Sequence, residues 1–387
     1  MKPLTDLLVL DLSRVLAGPF CTMHLADMGA EILKVEQPGV GDDTRRFGPP
    51  FYKGASTYFL AVNRGKKSLT ADLKNPDDLA LIRRIALQAD VLVENFRPGT
   101  LERLGLGWEE LHRDNPRLVY ASIAGYGAVV GLDDYLKRPG YDLVAQGVGG
   151  IQALTGHPDG PPTRCGASIA DLTAGLYAFQ GILLALLARH RTGRGQRVDI
   201  SMQDCQAALL TYHATAQLLA DVPGERLGNA HPSIAPYATF LTADGHINIG
   251  AANDAMFRRL CEALGSPELA TDPRFVTNAD RVTHRDALHD VLNTLTREHP
   301  RDALTALLSA HGVVAGPILG VEQVLQHPQV QARGMVLSQA HPTLGTVQSI
   351  ANPIMLLDTP AGYELPPPEL GQHSDELRAR FAAEGAP

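Results

Sequence analysis

One short stretch, Gly166-Ala167-Ser168-Ile169-Ala170-Asp171-Leu172, combines residue types and a spacing suited to chemistry. Asp171 stands at the mouth of a long, mostly apolar helix, where free backbone amides stabilise negative charge. Two readings of it stand side by side. Ser168-x-x-Asp171 fits a capping box with Asp in place of the commoner Glu or Gln, which is the reading the pattern alone favours, and a carboxylate stabilised at a helix mouth is the chemically interesting alternative. Other chemistries lack their patterns. The first strand-to-helix turn, Ser13-Arg14-Val15-Leu16-Ala17-Gly18-Pro19, is not G-x-G-x-x-G, and no G-x-x-x-x-G-K-[ST] occurs, so nicotinamide, flavin and ATP chemistry are not expected. Gly147-Val148-Gly149-Gly150 is glycine-rich but sits in an apolar stretch. The 14 His residues form no H-E-x-x-H and no cluster with Cys, so no metal is expected.

The elements that must position Asp171 follow from periodicity. Within Leu7 to Leu12 the chain is a continuous apolar run ending at Asp11, as in a strand buried on both faces of a parallel sheet. A helix opens near Pro19 and closes at Gly29, and Ala30 to Glu36 gives the next strand. Helix Pro76 to Leu87 leads into strand Asp90 to Glu94, and helix Glu109 to Arg113 into strand Leu118 to Ile123. The spacing predicts a long helix from Ile169 to His190, ended by Thr192-Gly193-Arg194-Gly195, then a strand from Arg197 to Met202. Such alternation predicts an α/β layer with a mostly parallel sheet. Beyond it, Ala243-Asp244-Gly245 marks a hairpin between Tyr237 to Leu241 and His246 to Gly250. Short amphipathic helices from Asp254, Arg285 and Arg301 follow. The domains expected are a large α/β domain over 1–200, a connection over 201–225, a small α+β domain over 226–315, a connection over 316–335, and a return to the large domain over 336–387.

At 387 residues and 44% hydrophobic, the chain has material for two cores. With 34 basic against 42 acidic residues its formal charge is -8, which argues against a nucleic-acid partner; any polyanion site must be local. The longest apolar candidate for a membrane span, Ala178 to Ala188, falls short of about 18 residues. Cys21, Cys165, Cys205 and Cys261 are too scattered for a disulfide framework. With no secretory signal in the first residues, a cytoplasmic protein without a membrane partner is expected.

Several blocks carry a family resemblance. Val9-Leu10-Asp11-Leu12-Ser13-Arg14-Val15-Leu16-Ala17-Gly18-Pro19, Asp27-Met28-Gly29-Ala30-Glu31-Ile32-Leu33-Lys34-Val35-Glu36 and Gly41-Asp42-Asp43-Thr44-Arg45 closely resemble the opening of class III coenzyme A transferases, the family that includes formyl-CoA transferase. The likeness continues through Asn63-Arg64-Gly65-Lys66-Lys67-Ser68, Val93-Glu94-Asn95-Phe96-Arg97-Pro98-Gly99, Gly125-Tyr126-Gly127, Gly228-Asn229-Ala230-His231-Pro232 and Leu370-Gly371-Gln372-His373-Ser374-Asp375-Glu376.

The resemblance implies a large Rossmann-like domain, a smaller α+β domain and an interlocked homodimer. It implies coenzyme A and acyl-CoA as substrates alongside carboxylic acids, with no permanently bound cofactor. Asp171 matches the family's nucleophile; at an ordinary carboxylate pKa of about 4 it would be ionised at neutral pH and need no general base. Val15, Lys74, Asn95, Phe96, Arg103 and Arg138 match CoA-contacting positions, and Gln37 stands where related enzymes place an Arg. Arg45, Arg46 and the block Gly228 to Tyr237 are most similar to the branch that exchanges CoA between succinyl-CoA and another dicarboxylate. Arg45, Arg46 and His231 are therefore candidates to hold a second carboxylate. The racemase branch carries a His where this chain has Tyr141, counted here with the substrate-facing residues; a phenol with a pKa near 10 is a poor base at neutral pH. A 2-methylacyl-CoA racemase and a non-catalytic CoA-binding homologue are the alternatives to transfer.

Overall fold

A computed structural model of the chain describes residues 1–382, so the last five positions of the expected 336–387 segment lie outside the described residues. Two compact units divide the chain. Among the described residues the first comprises 1–151, 164–222 and 329–382, and the second 152–163 and 223–328.

The apolar runs of the first unit become six strands: β1 (Leu8–Asp11), β2 (Glu31–Glu36), β3 (Lys66–Thr70), β4 (Val91–Glu94), β5 (Val119–Ala124) and β6 (Arg197–Ser201). They form one sheet in the order β3-β2-β1-β4-β5-β6, each pair parallel. Successive residues point to opposite faces, so Val9 and Leu10 enter separate cores. Val9, Ile32, Val91 and Val119 pack with helices α1 (Ala17–Asp27) and, further along the chain, Ile169–Thr192. Leu10, Leu33 and Leu92 pack with Leu81, Ile82 and Ile85 of α2 (Pro76–Gln88). Asn75 caps α2 through its side chain, with Pro76 at the first helical position. The strand order reverses between β1 and β4, and a doubly wound sheet opens its ligand crevice beyond the carboxyl ends of the strands at such a switch point.

Sequence reading passed over β3. Its Lys66 is fully buried and paired with Asp11 at 3.1 Å, so a charge occupies a core position and the apolar pattern vanishes. Residues 202–220, expected within a connection, form two helices of the first unit, Met202–Leu209 and Thr211–Ala220; the first buries Met202, Cys205 and Gln206. The other expected connection, 316–335, carries helices Val321–Gln326 and Pro328–Ala332.

Two further helices matter for the site: α3 (Asp142–Val148) and α4 (Ile169–Thr192). Helix α4 is long and apolar enough by composition to cross a membrane, contrary to the sequence reading, which counted only its strictly apolar stretch. In the structure Ala170, Ala174, Ala178, Ile182 and Ala185 bury one side of it in the core. It also lies so close to α1 that a Cβ added at Gly175 would meet the Ala17 carbonyl oxygen at 2.6 Å.

The second unit has its own antiparallel sheet, with Gly245–Gly250 between Tyr237–Thr242 and Val314–Pro317. Phe240, Ile247, Phe257, Leu260, Phe275, Leu288 and Leu292 form its core. Arg281, fully buried there, donates to the carbonyls of Ala235 and Phe275 and pairs with Asp254 at 2.7 Å.

Candidate active site

The turn after β1 is held by the side chains of Asp11, Lys34, Asp42 and Asn95. Arg14 N–H donates to Asn95 Oδ1 at 2.8 Å and Asn95 Nδ2 returns a bond to Arg14 O at 2.7 Å, which ties the turn to the carboxyl end of β4. Val15 adopts φ 68°, a left-handed conformation that a β-branched residue avoids unless its surroundings enforce it. Leu16 and Ala17 then open α1. On the far side, Gly125 and Gly140 pass backbone against backbone: a Cβ at Gly125 would meet Gly140 Cα at 2.6 Å. That close approach brings Arg138 to Tyr141 beside the end of β5.

Asp171 lies in the first turn of α4, and the capping reading of it fails. Ser168 makes no side-chain cap. Asp142, the first residue of α3, takes that duty: its Oδ1 accepts Ala170 N–H at 3.0 Å and its Oδ2 accepts Gln146 Nε2 at 2.8 Å. The Asp171 carboxylate is half-buried, and no described residue donates a hydrogen bond to it. Burial first, and the negative charge of Asp142 second, push its pKa up to about 7. The expectation of an ordinary carboxylate, ionised well below neutrality, is thereby corrected. Tyr58 feels the same charges: burial, then Asp171, Asp142 and Asp42, push its phenol up to about 12.

Six of the sequence-derived residues, Val15, Asn95, Phe96, Arg138, Tyr141 and Asp171, line one cavity of about 250 Å³. A second cavity of about 420 Å³ shares Arg14 and Phe96 with it and is lined by Gln37, Lys74 and Arg103. Lys74 and Arg103 are exposed there, and Arg14 lies over the Phe96 ring at 5.4 Å. A third, mostly apolar cavity of about 680 Å³ shares Leu16 with the first and includes Tyr58, Ser168 and Leu172 beside Asp171. No charged side chain lines that third cavity.

Arg45 and Arg46 are not among the residues lining these cavities. Arg45 is committed to structure: it grips Glu36 with two bonds of 2.7 Å, donates to Pro368 O and lies over the Phe59 ring. Arg46 is exposed and pairs with Asp43 at 3.6 Å. His231 belongs to the second unit, where its Nδ1 accepts Ser233 N–H at 3.1 Å and its ring meets that of Tyr237. Sequence reasoning missed Arg14, Tyr58 and Asp142. It also missed the buried charges Asp11, Lys34 and Lys66, whose signal was present: charges inside strands covered on both faces must be paired.

The model of CoA-transferase family III matches residues 4–374. The chain is 42% identical to the succinate–glutarate CoA-transferase of Agrobacterium fabrum, covering 98% of this chain and 96% of that one. It is 43% identical to the acetyl-CoA:oxalate CoA-transferase of Acetobacter aceti, with the same coverage of 98% and 96%. Among solved structures, a CaiB/BaiF family protein from Brucella suis superposes with a TM-score of 0.88 at 42% identity, covering 98% of this chain and 99% of that one. A match across nearly the whole length, over a fold whose switch-point crevice gathers the residues that suggested it, leaves one assignment: the chain belongs to CoA-transferase family III.

Proposed function

We propose that this CoA-transferase moves coenzyme A between carboxylic acids with Asp171 as covalent nucleophile, using succinyl-CoA and a second dicarboxylate. One observation carries the reading: an undonated carboxylate lines a cavity that shares Arg14 and Phe96 with a neighbouring one bearing Lys74 and Arg103. A CoA chain has that layout, with anionic phosphates at one end and a thioester at the other. Val15, Asn95, Phe96 and Arg138 contact it between these ends. Guanidinium and ammonium groups supply the phosphate charge that the acidic whole lacks.

In the reaction, an Asp171 oxygen attacks the thioester carbonyl, and the C–S bond breaks to release CoA thiolate and leave an acyl-aspartyl anhydride. The thiolate attacks the Asp171 carbonyl carbon and expels the donor carboxylate, giving an aspartyl-CoA thioester. The acceptor carboxylate attacks that thioester, forming a new anhydride and thiolate. The thiolate takes the new acyl group and frees Asp171. All intermediates lie near a thioester in energy, so positioning and exclusion of water do most of the catalysis.

The dicarboxylate reading draws on the relatives' names. With Arg45 and Arg46 engaged elsewhere, the acyl chain enters the apolar cavity beside Tyr58 and Leu172, where its far carboxylate meets hydroxyl and amide groups such as Thr57, Gln348 and Ser349. Tyr141, 67% exposed at the cavity rim, offers no imidazole for proton removal, which favours transfer over racemisation. The enzyme works in the cytoplasm as an interlocked homodimer. Support for self-association is the apolar side of α4 left open, where Leu184 is 66% and Leu187 54% exposed.

Asp171→Ala should abolish exchange between succinyl-CoA and glutarate while still binding CoA, and hydroxylamine should trap an aspartyl adduct only in the parent enzyme. An undiminished exchange rate in the variant would refute the assignment. Deuterium uptake at the α-carbon without any acceptor acid would favour racemisation instead.

A further inference from the structure

Beneath the Ser13–Val15 turn lies a cluster of buried charges with no assigned role. Asp11, Lys34, Lys66, Asp42 and Glu36 are each at most 3% exposed, and Arg45 closes the group from one side. Three acids and three bases balance, so the cluster is neutral as a whole. Its bonds converge on the turn. Lys34 Nζ donates to Ser13 O at 3.0 Å and to Asp42 Oδ2 at 2.8 Å. Asp42 Oδ1 accepts Val15 N–H at 3.3 Å together with Thr44 N–H and the Thr44 hydroxyl. Asp11 accepts Ser13 N–H at 3.0 Å and is itself anchored by Thr22 and Lys66. With Asn95 gripping Arg14 from β4, side chains fasten all three residues of the turn.

A buried ion pair is a poor source of stability, because desolvation offsets most of the attraction. Its retention under a strained backbone calls for another reason. We propose that the Lys34–Asp42 pair is a positioning device: it holds Val15 in the left-handed conformation and so sets the turn and the first residues of α1 that share a cavity with Asp171. Neither residue touches substrate. The inference rests on the proposed roles of Val15 and Asp171. The strain at Val15 is stored by the cluster, and coenzyme A meets a wall already shaped for it.

Because Asp42→Asn alone leaves Lys34 buried without a counter-charge and threatens folding, the main test uses the pair replacement Lys34→Met with Asp42→Val, which removes both charges and the oxygen that accepts Val15 N–H. The expected result is a folded protein with Tm near that of the parent, at least about tenfold weaker binding of coenzyme A by calorimetry, and a matching loss in kcat/KM. Parent-like binding and kinetics in that folded variant would overturn the proposal. A second arm makes the same replacement in a Val15→Gly background. Glycine adopts φ near +68° without enforcement, so the added loss should shrink several-fold relative to the Val15 background. An equal loss in both backgrounds, the additive outcome, would also overturn it, and it would do so even if the pair replacement were destabilised. Asp171→Ala measured alongside separates the two readings: if it exchanges CoA normally, the nucleophile assignment fails, while coenzyme A binding still reports on the turn.

Discussion

Asp171 and Asp142 do different work although both are carboxylates at helix starts. Asp142 is spent on two hydrogen bonds, one from Gln146 within α3 and one from Ala170 N–H that joins α3 to α4. Asp171 has none and carries a pKa near 7. An acid whose pKa is raised is neutral below that value, and attack on a thioester requires the anion. kcat/KM should therefore rise with pH through an acid limb near 7 and level off above it. Asp142→Asn keeps the oxygen that accepts Ala170 N–H and removes the second cause of the shift, so the limb should move to lower pH by a unit or so. A limb unmoved in that variant would mean that burial alone sets it. From its place at a helix mouth Asp171 read first as a cap, and only the family resemblance made it the candidate nucleophile; Asp142 was not legible, because its influence crosses 29 positions of sequence by way of a fold, and the residue beside it, Tyr141, drew the attention.

Secondary elements were legible wherever packing alone decides them. β1, β2, β4 and β5 are apolar runs covered on both faces, and α4 announces itself by length. β3 was hidden because its Lys66 satisfies a buried partner, a long-range pairing that periodicity does not register. As one of the two edges of the sheet, β3 is also a strand in need of cover. The last described segment supplies it. Gly371 N–H donates to Ser68 Oγ at 2.8 Å, His373 N–H to Ser68 O at 3.0 Å, and Arg378 to Thr70 O at 2.8 Å. Leu377 and Phe381 meanwhile bury themselves in the core on that side. Deleting everything from Leu370 onward exposes the edge and forfeits roughly 4 kcal/mol of apolar burial. Tm should drop by about 5 °C, with light scattering rising at lower temperature than in the parent. Unchanged melting would show that the edge needs no cover.

At the scale of the molecule, the two units have separate cores, and the chain passes between them repeatedly. The change from parallel to hairpin patterning after residue 230 made the second core visible in sequence, whereas the 152–163 excursion was missed although Gly156, Pro158, Gly160, Pro161 and Pro162 mark it as a break. Sedimentation of the purified enzyme should give twice the chain mass, and Leu184→Glu with Leu187→Glu should lower it; a parent that sediments at one chain mass removes the homodimer from the proposal. The sealed ion cluster has one more consequence. Dissolved salt screens charges it can approach and hardly affects those shut away from water. If Lys74 and Arg103 take the phosphates of an incoming donor as proposed, raising ionic strength should therefore blunt that attraction, leaving the turn beneath Val15 unperturbed, so that capture slows while turnover of the loaded enzyme holds steady.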